Sequence, residues 1–128
     1  MIFDTTAIID ILRGEKTIIA KVKEMESKNM TFSFTAISVF EIWNGIKDMQ
    51  NEEKIKKIKF LFDSTNVYSL DSESAKEAGI IYGSLEKKGE TIGPEDCMII
   101  GIVKTNKEAI LTKDKHFQRV SDLKIEFY

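Results

Sequence analysis

The chain has 128 residues, 42% hydrophobic and 31% charged, with one proline, seven glycines and a net charge of −2. That length suits one domain of roughly 100–150 residues, and the composition excludes a disordered or fibrous chain. With 17 lysines, two arginines and a near-neutral balance, bulk charge neither calls for nucleic acid nor excludes it.

Apolar runs such as Met1–Phe3 are too short for a signal peptide, and nothing approaches the roughly 20 apolar residues of a membrane span. Cys97 is the single cysteine, so an intramolecular disulfide and a multi-cysteine zinc site are both excluded. The chain reads as cytosolic, with no membrane partner.

Met1–Phe3 reads as a buried strand. TTAIIDILRG follows as a helix with a glycine stop, and Thr17–Ser27 carries Ile18, Ile19, Val22 and Met25 at helical spacing. Thr31–Phe34 alternates as a strand. Ala36–Met49 is expected to be a helix with Val39, Phe40, Trp43 and Ile46 sharing a face. Asn51–Phe62 is expected to be another, with Ile55, Ile58 and Phe62 together. Asn66–Leu70 reads as a strand. Ser72–Lys88 reads as a helix on Ala75, Ala78, Tyr82 and Leu85, stopped at Gly89. Pro94 opens a mostly apolar, buried helix. Ala109–Thr112 is a buried strand, KHFQRV a turn or short helix, and Leu123–Phe127 a last strand.

Strands separated by helices imply βαβ units, hence an α/β fold with a mainly parallel sheet. Ligands in such sheets bind beyond the carboxyl ends of the strands. Asp4 follows the first strand and Asp114 the fourth. Asp96 sits in the first turn of the buried helix, and Glu41 lies in the helix after the second strand.

Each acid has an ordinary reading. Asp4 suits a helix cap and Asp114 a turn. Asp96 suits the positive end of a helix dipole. Glu41 fits a capping box with Ser38, stapled by Ile37 and Ile42, unless Thr35 is the cap and leaves Glu41 free. Taken together, the four acids can converge. Crowded carboxylates repel, and an oxygen-only donor set points to Mg²⁺ or Mn²⁺ rather than zinc.

Asp10 reads as a surface i,i+3 pair with Arg13. Trp43, Phe60 and Phe62 read mainly as core, with at least two of them inside. Arg13, Lys87, Lys88, Lys113, Lys115 and Arg119 are candidates to meet a phosphate, Lys113 and Lys115 above the rest because they flank Asp114. His116, the only histidine, reads as surface or structural.

The ordered set DTTAIIDILRG, SVFEIWNG, LEKKGETIGPEDCMIIGIV and ILTKDKHFQRVSDLKIEFY resembles the PIN-domain nucleases, in particular the VapC-type toxins of toxin–antitoxin pairs. The resemblance spans essentially the whole chain, 1–128, as one PIN-like domain. It implies a three-layer α/β/α fold with about five strands, and Asp4, Glu41, Asp96 and Asp114 as ligands of Mg²⁺ or Mn²⁺. Thr112 matches a hydroxyl position that supports the site. It further implies metal-dependent cleavage of single-stranded RNA, leaving a 5′-phosphate and a 3′-hydroxyl. The implied partners are a cognate VapB-like antitoxin, received in a groove near the middle helices, and a second copy of the chain in a homodimer. Thr6 departs from the Asn or Ser common in the family, and Glu95 from a neutral residue; neither removes a ligand.

Other readings fit less well. A haloacid-dehalogenase-like phosphatase needs a DxD pair, and Thr6 stands in its second place. A receiver domain needs an acceptor acid after its third strand, where Asp71 is a weak match. A partner-binding domain that had lost catalysis would be expected to lack one of the four acids.

Overall fold

The computed structural model describes residues 1–128. Its centre is β1 (Ile2–Phe3), flanked by β2 (Ser33–Thr35) and β4 (Ile110–Thr112), with β3 (Asn66–Tyr68) and β5 (Ile125–Phe127) at the edges. All four pairings are parallel. Parallel neighbours need crossovers, and helices supply them: α1 (Thr5–Arg13) and α2 (Lys16–Ser27), α3 (Ala36–Gly45) and α4 (Glu52–Asp63), then α5 (Ser72–Lys88) and α6 (Pro94–Thr105).

Strand side chains alternate, and the two faces sort accordingly. Ile2 and Ile110 enter a core with α5 and α6, through Ile81, Leu85, Ile99 and Val103. Phe3 and Leu111 face the other way, toward Ile8, Ile18, Ile42, Ile58 and Phe62 of α1–α4. A sheet with helices on both faces is the expected α/β/α sandwich.

α6 is buried over most of its length, from Cys97 through Val103. It lies so close to α5 that a Cβ on Gly101 would stand 2.3 Å from the Ser74 carbonyl oxygen. Helix ends follow local chemistry. Gly14 and Gly89 close α1 and α5 in the left-handed conformation, and Asp71 with Ser74 forms a capping box on α5.

Several local expectations are corrected. α3 stops at Gly45 rather than Met49, and its buried residues are Ser38 and Ile42, while Phe40 and Trp43 turn outward. Its polar residues Ser38 and Glu41 turn inward, so the apolar spacing alone does not mark the buried face. On α5 the buried stripe is Ser74, Ala78, Ile81 and Leu85, leaving Ala75 exposed. KHFQRV, by contrast, forms the expected short turn, a 3₁₀ one over Lys115–Arg119. No helix is long and apolar enough to cross a membrane.

Candidate functional site

The site begins at the carboxyl end of β1. The Asp4 N–H still pairs with the Leu111 carbonyl at 3.1 Å, extending the sheet by one residue. Its side chain then turns to two tasks. Oδ1 accepts the Ala7 N–H at 2.7 Å, capping α1, and Oδ2 accepts the Thr112 hydroxyl at 2.5 Å. Thr112 is fully buried, and its oxygen also accepts the Asp114 N–H at 2.9 Å. Asp114 in turn caps the 3₁₀ turn through the His116 N–H at 2.8 Å, with His116 Nδ1 at 3.1 Å. His116 is itself exposed.

Glu41 arrives from α3. Thr35 is the cap of that helix, accepting the Ser38 N–H at 3.1 Å. The capping-box reading through Ser38 therefore fails, and Glu41 is free to face another element. Its Oε1 accepts the Thr5 hydroxyl at 2.7 Å, and Thr5 lies 3.0 Å from Ser38 Oγ. A hydroxyl has one hydrogen, and the carboxylate contact is the shorter and stronger of the two. Thr5 and Ser38 thus join the start of α1 to the start of α3. The sequence reading did not assign Thr5 to the site; its only signal is a hydroxyl next to Asp4.

Asp96 enters from the first turn of α6, and its carboxylate has no hydrogen-bond donor. Burial pushes it up to about 6, reinforced by the negative charges of Glu41, Asp114, Asp4 and Glu95. Asp4 is also pushed up to about 6, first by burial and then by Asp114 and Asp10, against the opposing bonds from Thr112 and Ala7. Asp96 thus feels Glu41, Asp114 and Asp4, and Asp4 feels Asp114, each acid coming from a separate part of the chain. As they stand, no three acidic, His or Cys side chains are arranged to hold a metal ion.

Other side chains fall differently from expectation. Asp10 is not a surface partner of Arg13. It is 3% exposed and accepts Lys113 Nζ at 2.5 Å and the Tyr128 hydroxyl at 2.8 Å. Burial pushes Asp10 up, but these two bonds and the Lys113 charge outweigh it and hold its carboxyl below the ordinary range. Lys113 is thereby engaged within the protein. The Arg119 guanidinium donates to the Thr91 carbonyl at 2.8 Å, joining the 3₁₀ turn to the loop before α6.

Of the three aromatic residues, only Phe62 is core; Trp43 is 39% and Phe60 73% exposed, against the expectation of at least two inside. Between α1, α3 and α4 lies a groove of about 650 Å³, whose lining includes Ile9, Leu12, Arg13, Ile46, Met49 and the candidate acid Glu41. A concavity of about 670 Å³ beside Phe60 contains none of the acids.

Residues 1–123 match the family model of the PIN domain. The chain belongs to the PIN-domain family. This PIN domain is 31% identical to Ribonuclease VapC3 of Methanocaldococcus jannaschii over 101 residues, covering 79% of this chain and 95% of the relative. Its fold is similar to solved structures of toxin–antitoxin assemblies. One is VapBC2 from Rickettsia felis bound to a DNA fragment of its promoter, with a TM-score of 0.87, 20% identity, and coverage of 100% of this chain and 99% of that one. Another is VapBC-1 from nontypeable Haemophilus influenzae, with a TM-score of 0.84, 27% identity, and coverage of 99% and 98%.

Proposed function

We propose that this PIN domain is a metal-dependent endoribonuclease of VapC type, the toxin of a toxin–antitoxin pair, working in the cytosol until a VapB-like antitoxin masks it. The observation that carries the reading is Asp96, a carboxylate with no hydrogen-bond donor that burial raises first and the charges of Glu41, Asp114 and Asp4 raise further. The similarity to a ribonuclease of the same family and to VapBC assemblies supports it.

The donor set fits Mg²⁺ or Mn²⁺: it is all oxygen, and neighbouring negative charges raise Asp4 and Asp96 beyond what burial already does. Asp4, Glu41, Asp96 and Asp114 would hold the ion or ions. Asp96, with no hydrogen bond to give up, is the acid freest to turn toward an ion. When bound, the metal supplies an acidified water and neutralises the charge developing on the phosphodiester.

The protein's part is positioning. Thr112 fixes one Asp4 oxygen and the amide of Asp114, and Thr5 fixes one oxygen of Glu41. These bonds leave other lone pairs on each carboxylate for a ligand. Lys115, exposed beside Asp114, is placed to meet a substrate phosphate. The groove containing Glu41 suits an antitoxin segment, so masking would reach the site directly. Single-stranded RNA is the proposed substrate, cut to a 5′-phosphate and a 3′-hydroxyl, with a homodimer as the assembly.

The test is cleavage of a total RNA preparation with Mg²⁺, with Mn²⁺ and with chelator, comparing the protein with Glu41→Gln. Metal-dependent fragments that disappear in Glu41→Gln are expected. Equal cleavage by both proteins, or cleavage in chelator, would contradict the proposal.

A further inference from the structure

Only two carboxylates in the chain are buried, Asp4 and Asp10, and the proposed chemistry uses only the first. A buried charge is costly unless paired and hydrogen-bonded. Asp10 meets that cost with partners from distant parts of the chain. Its Oδ2 accepts Lys113 from 103 residues away and Tyr128 from 118 residues away. One oxygen thus gathers the last turn of α1, the segment just past β4, and the residue after β5.

The neighbours of Lys113 give this contact its meaning. Thr112 bonds Asp4 at the start of α1, while Lys113 bonds Asp10 in its last turn. The segment 112–114 is therefore pinned to α1 at two points, six residues or about 9 Å apart along the helix. Asp114 is the next residue, and its negative charge raises both Asp4 and Asp96. Phe117 and Arg119 anchor the far side of the turn, and the Lys113 bond adds a second anchor beside Thr112 on the side of α1.

We propose that Asp10 is a positioning residue, holding the 112–114 segment through Lys113 so that Asp114 keeps its place at the end of β4. Tyr128 completes the clamp as the second donor to the same oxygen. The consequence for metal binding rests on the proposed nuclease reading; the effect on the turn does not.

The experiment uses the full chain at pH 7.5, as wild type, Asp10→Asn, Lys113→Met, Lys113→Arg and Tyr128→Phe. Amide hydrogen exchange is followed by NMR in metal-free protein at Asp114, whose N–H is held by Thr112, and at His116, whose N–H is held by Asp114. Lys113→Met is expected to lower protection at both amides about tenfold, while Lys113→Arg keeps it. The amides of Ile2 and Ile110, paired within the sheet, should keep theirs. Mn²⁺ titration by electron paramagnetic resonance should then show half-saturation moving up about tenfold in Lys113→Met but not in Lys113→Arg.

Should Asp10→Asn fail to fold, Lys113→Met and Tyr128→Phe decide. Unchanged protection at Asp114 and His116, or an equal loss across the whole sheet, would overturn the proposal. Unchanged Mn²⁺ affinity alongside a loosened turn would overturn its functional half. A loosened turn in a protein whose wild type binds no Mn²⁺ would uphold the clamp and sink the nuclease reading.

Discussion

The Thr112 hydroxyl donates to Asp4 at 2.5 Å across 108 residues of sequence, and the same oxygen accepts the Asp114 N–H at 2.9 Å. One buried hydroxyl thus sets the relation between two of the four acids.

Thr112→Val keeps the shape and removes both bonds. It leaves a buried carboxylate oxygen and an amide without partners, for a loss of about 1–3 kcal/mol in urea unfolding. The Thr112 bond also holds the Asp4 carboxyl down, so its loss should raise Asp4 further above about 6 and weaken Mn²⁺ binding. Thr112→Ser should restore both properties. A Val variant as stable and as avid for Mn²⁺ as wild type would remove Thr112 from the account.

Asp4 and Asp96, ordinarily near 3.8, are both raised to about 6. A carboxyl raised in the folded state favours folding in its protonated form, and that stability disappears as pH rises through the folded value. Metal-free protein should therefore melt lower at pH 7.5 than at pH 5, most of the change falling between about pH 4 and 7. Moving Asp96 from 3.8 to about 6 corresponds to about 3 kcal/mol. Asp96→Asn should accordingly raise the melting temperature at pH 7.5 and flatten its pH dependence. Mn²⁺ should stabilise wild type far more than the variant. Calorimetry from pH 5 to 8, with and without Mn²⁺, measures all three.

Much of the architecture was legible because buried strands and helices impose different spacings. Phe3 and Ile2 point to opposite cores as a two-residue period demands, and Pro94 and Gly89 mark helix ends by backbone chemistry. α3 was misread because its polar stripe turns inward, Ser38 and Glu41 meeting Thr5, while Phe40 and Trp43 are left outside. Asp10 was misread because its partners are distant in sequence, so local spacing offered only Arg13. At the candidate site, the strand ends and helix starts made Asp4, Glu41, Asp96 and Asp114 candidates. Nothing comparable marked the hydroxyls of Thr5 and Ser38, since such residues are common at any helix start and only the crossing of α1 and α3 joins them to Glu41.

Thr5→Val tests that crossing. The fold should persist within about 1 kcal/mol, the typical net value of one hydrogen bond. Glu41 would lose its only hydrogen-bond donor, and cleavage should fall about tenfold, at the low end for a residue that orients a ligand. Thr5→Ser should retain activity. Steady-state cleavage of a short single-stranded RNA, with a urea melt of each variant, separates the two effects.

Gly101→Ala tests the packing that carries Asp96. The added carbon would stand 2.3 Å from the Ser74 carbonyl oxygen and 3.0 Å from the Ala78 nitrogen, both backbone atoms. α6 must move away from α5, at a cost of about 3 kcal/mol or more, the upper end for overpacking. A lowered melting temperature is the expected result, and an unchanged one would mean that the helices are less tightly apposed.

The most direct measurement is RNA cleavage by wild type and Asp96→Asn at pH 7.5 in Mg²⁺, in Mn²⁺ and in chelator, with circular dichroism to verify the fold. Discrete fragments are predicted for wild type with metal only, and none for the folded variant. Cleavage that survives in Asp96→Asn, or that ignores chelator, would contradict the claim that these four acids assemble a metal-dependent nuclease site.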